Sequence, residues 1–94
     1  MAVGIRIKMA GITQEQFDKV NDHVDPAGNP PDGLVFHSSG PIDGGWGVID
    51  FWESREKFDA FFGSRVRAGV EAAGIEMEGA PDVKEFPVHE FAKP

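Results

Sequence analysis

The pair Asp43-Gly44 constrains this chain more than any other feature, because it separates two apolar stretches, Leu34–Ile42 (LVFHSSGPI) and Gly45–Trp52 (GWGVIDFW). An Asp-Gly pair tolerates the positive φ angles of a type I′ turn, so the segment is predicted to be a β-hairpin. A two-residue turn also fixes the register. Ile42 then pairs with Gly45, Pro41 faces Trp46, Ser39 faces Val48, His37 faces Asp50 and Val35 faces Trp52. The four pairs from Pro41–Trp46 to Val35–Trp52 share one face of the sheet. The other carries Leu34, Phe36, Ile49 and Phe51 and is apolar apart from Ser38 and the glycines. A bulge near Gly44-Gly45 would slip the register by one residue and separate His37 from Asp50.

The flanks complete a familiar order of elements. Ala2–Met9 alternates, with Val3, Ile5, Ile7 and Met9 on one side and Arg6 and Lys8 on the other, which is the period of a strand with one apolar face. Thr13 with Gln16 three positions later forms a capping box, and Phe17, Val20 and Val24 follow at helical spacing, so a helix is expected over Gln14–His23. Asp25–Gly33 (DPAGNPPDG) is too rich in proline and glycine to continue either element, and reads as a surface connection or a lid. After Trp52, Ser54 caps a second helix that places Phe58, Phe61, Phe62, Val66 and Val70 on one face and stops at Gly74. Glu76–Asp82 is a loop, and Val83–Phe91 a last strand whose Pro87 removes a ladder donor and so argues for an edge.

The order is βαββαβ, a ferredoxin-like α+β fold, and right-handed crossovers give an antiparallel sheet in the order 4-1-3-2. The fourth strand is then at an edge, in agreement with Pro87. Ninety-four residues, 1–94, are expected to make a single domain. So short a chain buries a modest fraction of its surface, and such domains gain the missing burial by pairing, so a homodimer is expected. There are no cysteines, which excludes disulfides, thiolate metal sites and a cysteine nucleophile. The formal net charge of −7 disfavours nucleic acid and anionic membrane as partners. The first ten residues lack a cleavage-site pattern and no apolar run reaches the ~20 residues of a membrane span, so the expected location is the cytoplasm.

The residues with chemistry gather on the hairpin. His37 opposite Asp50 puts an imidazole beside a carboxylate, an arrangement that fixes the tautomer and raises the basicity of the ring, suiting a general base or proton shuttle. Trp46 and Trp52 on either side would give flat apolar walls for an aromatic substrate. The alternative is a structural cross-strand hydrogen bond that satisfies two polar groups on a partly buried sheet. Both readings stand at this point. His89 belongs to the last strand and is read as a surface or interface residue, or as one reaching a shared cavity. A metal triad of His37, His89 and Asp50 lacks any local spacing motif, and no metal or other cofactor is expected. His23 ends the first helix, where its cation suits the dipole. Ser38 and Ser39 lack a nucleophile-elbow context, and the Gly-Gly-x-Gly of the hairpin lacks the strand-to-helix context of a dinucleotide site.

Phe51-Trp52-Glu53-Ser54, followed by Phe58 and Phe61-Phe62, resembles the strand-to-helix junction of the antibiotic biosynthesis monooxygenase superfamily. The motif spans residues 46–62, and the topology matches over nearly the whole chain. The resemblance implies a dimeric α+β barrel with one pocket per subunit between sheet and helices. It places Trp52, Phe58, Phe61 and Phe62 on the pocket wall with His37 and Asp50 looking in, and gives the face of Leu34, Phe36, Ile49 and Phe51 to the barrel interior and dimer contact. Polarity alone would put that apolar face under the helices. The function implied is binding of a small aromatic or polyketide-like molecule, with cofactor-independent oxygenation as the chemistry. A cyclase- or isomerase-type acid–base enzyme and a non-catalytic binding or accessory dimer are the alternatives. Heme-degrading members carry a heme-ligating histidine on the helix after the tryptophan, whereas this chain reads Phe61-Phe62-Gly63 there and has no histidine in that helix.

Overall fold

The computed structural model describes residues 2–94 of the chain; Met1, where the stretch read for a targeting signal begins, lies outside them. The elements are β1 (Val3–Ala10), α1 (Gln14–Val24), β2 (Leu34–Ile42), β3 (Gly45–Trp52), α2 (Arg55–Phe61), a π-helical turn (Phe62–Val66), α3 (Arg67–Ala73) and β4 (Asp82–Pro87). The four strands form one antiparallel sheet in the order β2-β3-β1-β4. This is the expected 4-1-3-2 order read from the other edge.

Both helix starts follow from their caps. The Thr13 hydroxyl accepts from the Gln16 N–H, and the Gln16 side chain accepts from the Thr13 N–H. Ser54 accepts from the Lys57 N–H at 3.2 Å. The helix after Ser54 is not uniform, however. A π turn at Phe62–Val66 inserts extra chain between α2 and α3, a feature that hydrophobic spacing does not reveal. The α3 half packs on α1 through Gly69, where an added Cβ would lie 2.8 Å from Val24 Cγ2.

The hairpin register is the expected one from His37 to Ile42: His37 pairs with Asp50, Ser39 with Val48 and Pro41 with Trp46. Two details differ. The turn is not type I′, because only Gly44 is left-handed (φ 76°) and Asp43 is not. The Gly44 carbonyl accepts from the Gly11 N–H at 2.7 Å, so the turn is shaped by the end of β1 as well as by its own two residues. A bulge lies at the other end of β2, between Leu34 and Phe36. It pairs Leu34 with Trp52 and leaves Val35 exposed, the reverse of the simple alternation.

Strand β4 is shorter than Val83–Phe91. It stops at Pro87, opposite Val3 at the start of β1, where the partner strand runs out and the proline offers no N–H. One further bond, Val88 N–H to the Ala2 carbonyl at 2.8 Å, ends the pairing. His89 is exposed beyond the strand, while the Phe91 ring folds back onto Phe51 with centroids 5.5 Å apart.

The helices cover the face that carries Ile5, Ile7, Val48, Asp50 and Trp52, and the core forms there with Phe58. Polarity alone pointed to the opposite face. Phe36, Ile49 and Phe86 instead stand on the uncovered side, each more than half exposed. There the Phe86 ring lies over Gly4, whose missing side chain makes room for it.

Candidate active site

The second tryptophan of β3 organises the helix-covered face. Trp52 is fully buried, with Phe58 edge-on at 5.8 Å and Phe61 tilted against it at 5.2 Å. These three side chains come from the strand end and the first turns of the next helix, so the Ser54 cap sets their approach. Held in that clamp, the indole Nε1–H donates to Asp50 Oδ2 at 3.1 Å.

Asp50 is 3% exposed and is the buried charged residue of the core. Its other oxygen, Oδ1, lies 2.7 Å from His37 Nδ1. A buried carboxylate is costly unless its lone pairs are engaged, and here each oxygen has one partner. His37 is on edge strand β2 with 28% of its side chain exposed. Since an ionised carboxylate can only accept, Nδ1 carries the proton, and Nε2 is the acceptor of the neutral ring. Among the described residues Nε2 has no hydrogen-bond partner.

Both residues line a cavity of about 420 Å³ between sheet and helices, within the usual size range of small-molecule sites. The sheet contributes Ile7, Met9 and Val48, α1 contributes Phe17, Val20 and Val24, and Phe58, Phe61, Phe62 and Val66 close the roof. Apart from His37 and Asp50 the wall is almost wholly hydrocarbon. Arg67 and Glu71 reach the rim but pair with each other on the solvent side. No group of three or more metal-ligating side chains is assembled among the described residues, and His89 does not line the cavity.

Of the residues singled out in the sequence, His37, Asp50, Trp52, Phe58, Phe61 and Phe62 come together around this cavity. Trp46 does not. Its indole is buried in a stack on Phe17, centroids 5.2 Å apart, and lies behind the cavity wall with its Nε1 unpaired. Sequence reasoning missed the α1 side of the wall, Leu34 (hidden by the bulge) and Arg65. The Arg65 guanidinium lies over the Phe61 ring and donates to the carbonyls of Val24 and Asn29. It thereby ties the Asp25–Gly33 loop to the cavity roof. Helical spacing could have suggested Phe17 and Val20, whereas nothing local marks Arg65.

Solved structures share this fold over almost the entire chain. A candidate antibiotic biosynthesis monooxygenase from Caulobacter crescentus matches with a TM-score of 0.72 and 19% identity, covering 95% of this chain and 91% of the other. SnoaB, a cofactor-independent oxygenase from Streptomyces nogalater, matches with a TM-score of 0.60 and 11% identity over 96% and 94% of the two chains. The hydroxynitrile lyase of Passiflora edulis matches at 0.62 and 15% identity over 98% and 97%. No family model and no curated protein sequence matches this chain. The architecture is therefore the one the Trp52 junction resembled, and at these identities the likeness extends to the fold alone.

Proposed function

We propose that this protein binds a small, planar, largely apolar molecule in the cavity and removes a proton from it with His37. The observation that carries the reading is an imidazole backed by a buried carboxylate, with its Nε2 unpaired, in an otherwise hydrocarbon wall. Beside this base the wall has no cluster of N–H donors to hold an oxyanion: its cation, Arg67, stands at the rim paired with Glu71, and Asn21 is a lone amide. The conjugate base must therefore delocalise its own charge, as an aromatic carbon or oxygen acid does, which disfavours ester or amide hydrolysis.

Cofactor-independent oxygenation is the chemistry that best suits such an anion, and the shared fold of SnoaB supports it. A substrate methylene gives its proton to His37 Nε2, the carbanion adds dissolved O2, and the imidazolium returns the proton to the resulting peroxide. Loss of water leaves a carbonyl. In sum RCH2R′ and O2 become RC(=O)R′ and H2O, with oxygen as the oxidant. The second reading is proton transfer without oxygen, favoured by the same dyad and by the hydroxynitrile lyase of this fold. We also propose that two copies pair through the uncovered apolar face, as the small size of the chain and the exposure of Phe36, Ile49 and Phe86 suggest.

Oxygen uptake with anthrone as the probe, together with its absorbance change, tests the oxygenase reading. Turnover should fall by at least about 10²-fold in His37→Ala, the scale of a lost general base. Equal turnover in wild type and variant would refute the role of His37. Binding of anthrone without turnover would leave a binding protein in place of an enzyme.

A further inference from the structure

Both hydrogen bonds at the dyad run toward Asp50, and Trp52 supplies the one that fixes how the carboxylate is turned. An indole N–H can only donate, an ionised carboxylate can only accept, and a neutral imidazole does one at each nitrogen. From Trp52 Nε1 to Asp50 Oδ2, and from His37 Nδ1 to Asp50 Oδ1, both donors converge on the carboxylate. The indole cannot swing away, since it is fully buried between Phe58 and Phe61.

We propose that Trp52 is a positioning residue for the His37–Asp50 pair: its N–H holds Oδ2 and so fixes the rotation of residue 50 that turns the other edge of the group, Oδ1, to His37 Nδ1, where an acceptor keeps the proton on Nδ1 and leaves Nε2 as the base. This rests on the reading of His37 as base and deepens it. It assigns the indole a task other than that of a flat wall for the ligand. The task becomes visible when residue 50 is made an amide. In Asp50→Asn the donor-only indole claims the amide oxygen. The amide NH2 then faces His37 Nδ1, which must give up its proton to accept, and the proton moves to Nε2. The base is thereby lost with the hydrogen-bonded frame intact.

The experiment is 15N NMR of histidine-labelled protein near neutral pH, which reads the tautomer of His37 directly and requires no turnover. Wild type is expected to hold the proton on Nδ1, and Asp50→Asn to hold it on Nε2. In the double variant Asp50→Asn/Trp52→Phe the amide is free to turn, and an Nδ1–H population should return. Because Trp52→Phe removes part of a buried side chain, the same measurement is made on Asp50→Asn protein in which both tryptophans are replaced by 3-benzothienylalanine. That side chain keeps the indole shape without the N–H, and at Trp46, whose Nε1 has no partner, the exchange removes no hydrogen bond. An Asp50→Asn protein that keeps Nδ1–H would overturn the proposal. So would a tautomer that stays on Nε2 once the indole N–H is gone. Neither result touches the role of His37 itself, which fails only if His37→Ala retains full turnover.

Discussion

Replacing Ile49 by lysine tests the proposed pairing at the centre of the uncovered sheet face. Ile49 is 52% exposed and sits between Arg6 on β1 and Ser38 on β2. In a single subunit the new ammonium reaches water, so the substitution should change stability by no more than about 0.5 kcal/mol. In a closed dimer it would be desolvated beside Arg6. With an aromatic side chain taken as ~200 Å², the exposed parts of Phe36, Ile49, Phe86 and Phe91 come to roughly 400 Å² of apolar surface per subunit. Two such faces are worth on the order of 20 kcal/mol at ~25 cal/mol per Å². Association itself costs about 4–15 kcal/mol. The balance, about 5–16 kcal/mol, runs from sub-millimolar to picomolar affinity, and its middle corresponds to a dimer at micromolar concentration. An unpaired buried cation costs several kcal/mol, and each ~1.4 kcal/mol is a tenfold change, so Ile49→Lys should weaken pairing by at least about 10³-fold. Sedimentation velocity across micromolar concentrations, with a thermal melt as control, reads both effects. A wild-type monomer at micromolar concentration, or a variant that still pairs, would refute the reasoning.

Three further outcomes are expected. Gly63→Ala and Gly69→Ala should have opposite signs, because a Cβ at Gly63 meets nothing within 4 Å whereas one at Gly69 presses on Val24 and the Val20 carbonyl. The first gains about 1 kcal/mol of helix propensity and the second loses about 1–3 kcal/mol by overpacking, less the same gain. In a chain of this size each kcal/mol moves the melting temperature by roughly 4–8 °C. Phe58→Ala should cost about 3–5 kcal/mol in denaturant unfolding, since the ring is 2% exposed and supports Trp52. Arg65→Ala should leave the core intact but speed hydrogen exchange at the Asn29 amide, which bonds the Asp25 carbonyl inside the strapped loop. An Asn29 exchange rate unchanged from wild type would show that Arg65 does not hold the loop.

The hairpin was legible because its information is local: a turn pair between two stretches of period two leaves one register, and His37 opposite Asp50 follows from it. Pro87 was legible for a related reason, as a residue without an N–H can only be placed where no donor is needed. The bulge at Val35 was not legible, because Leu34, Val35 and Phe36 are all apolar and any of them satisfies either face. The same degeneracy defeated polarity as a guide to which face the helices cover. One face carries Phe36, Ile49 and Phe51, and the other Val48 and Trp52, so only the identity of the Trp52 junction separated them. Trp46 was misplaced on the pocket wall because its stacking partner, Phe17, comes from α1, and no register within the hairpin contains that contact. The tie between Asp50 and Trp52 spans two residues of one strand, yet alternation gives only a shared face and not a hydrogen bond.

The π turn at Phe62–Val66 gives the long helix two phases. An uninterrupted α-helix advances about 100° per residue, so its apolar stripe points in one steady direction. Here the stripe before the turn, Phe58 and Phe61, is aimed at Trp52, and the stripe after it, through Gly69, is aimed at α1. Deleting one residue between 62 and 66 would bring both stripes into a single phase, and one of the two contacts would have to be given up. With the surplus residue in place the two halves are decoupled. Substitutions that reshape the aromatic end can accumulate without rotating the end that grips α1, so a helix of this kind can refit one end while keeping its mooring at the other.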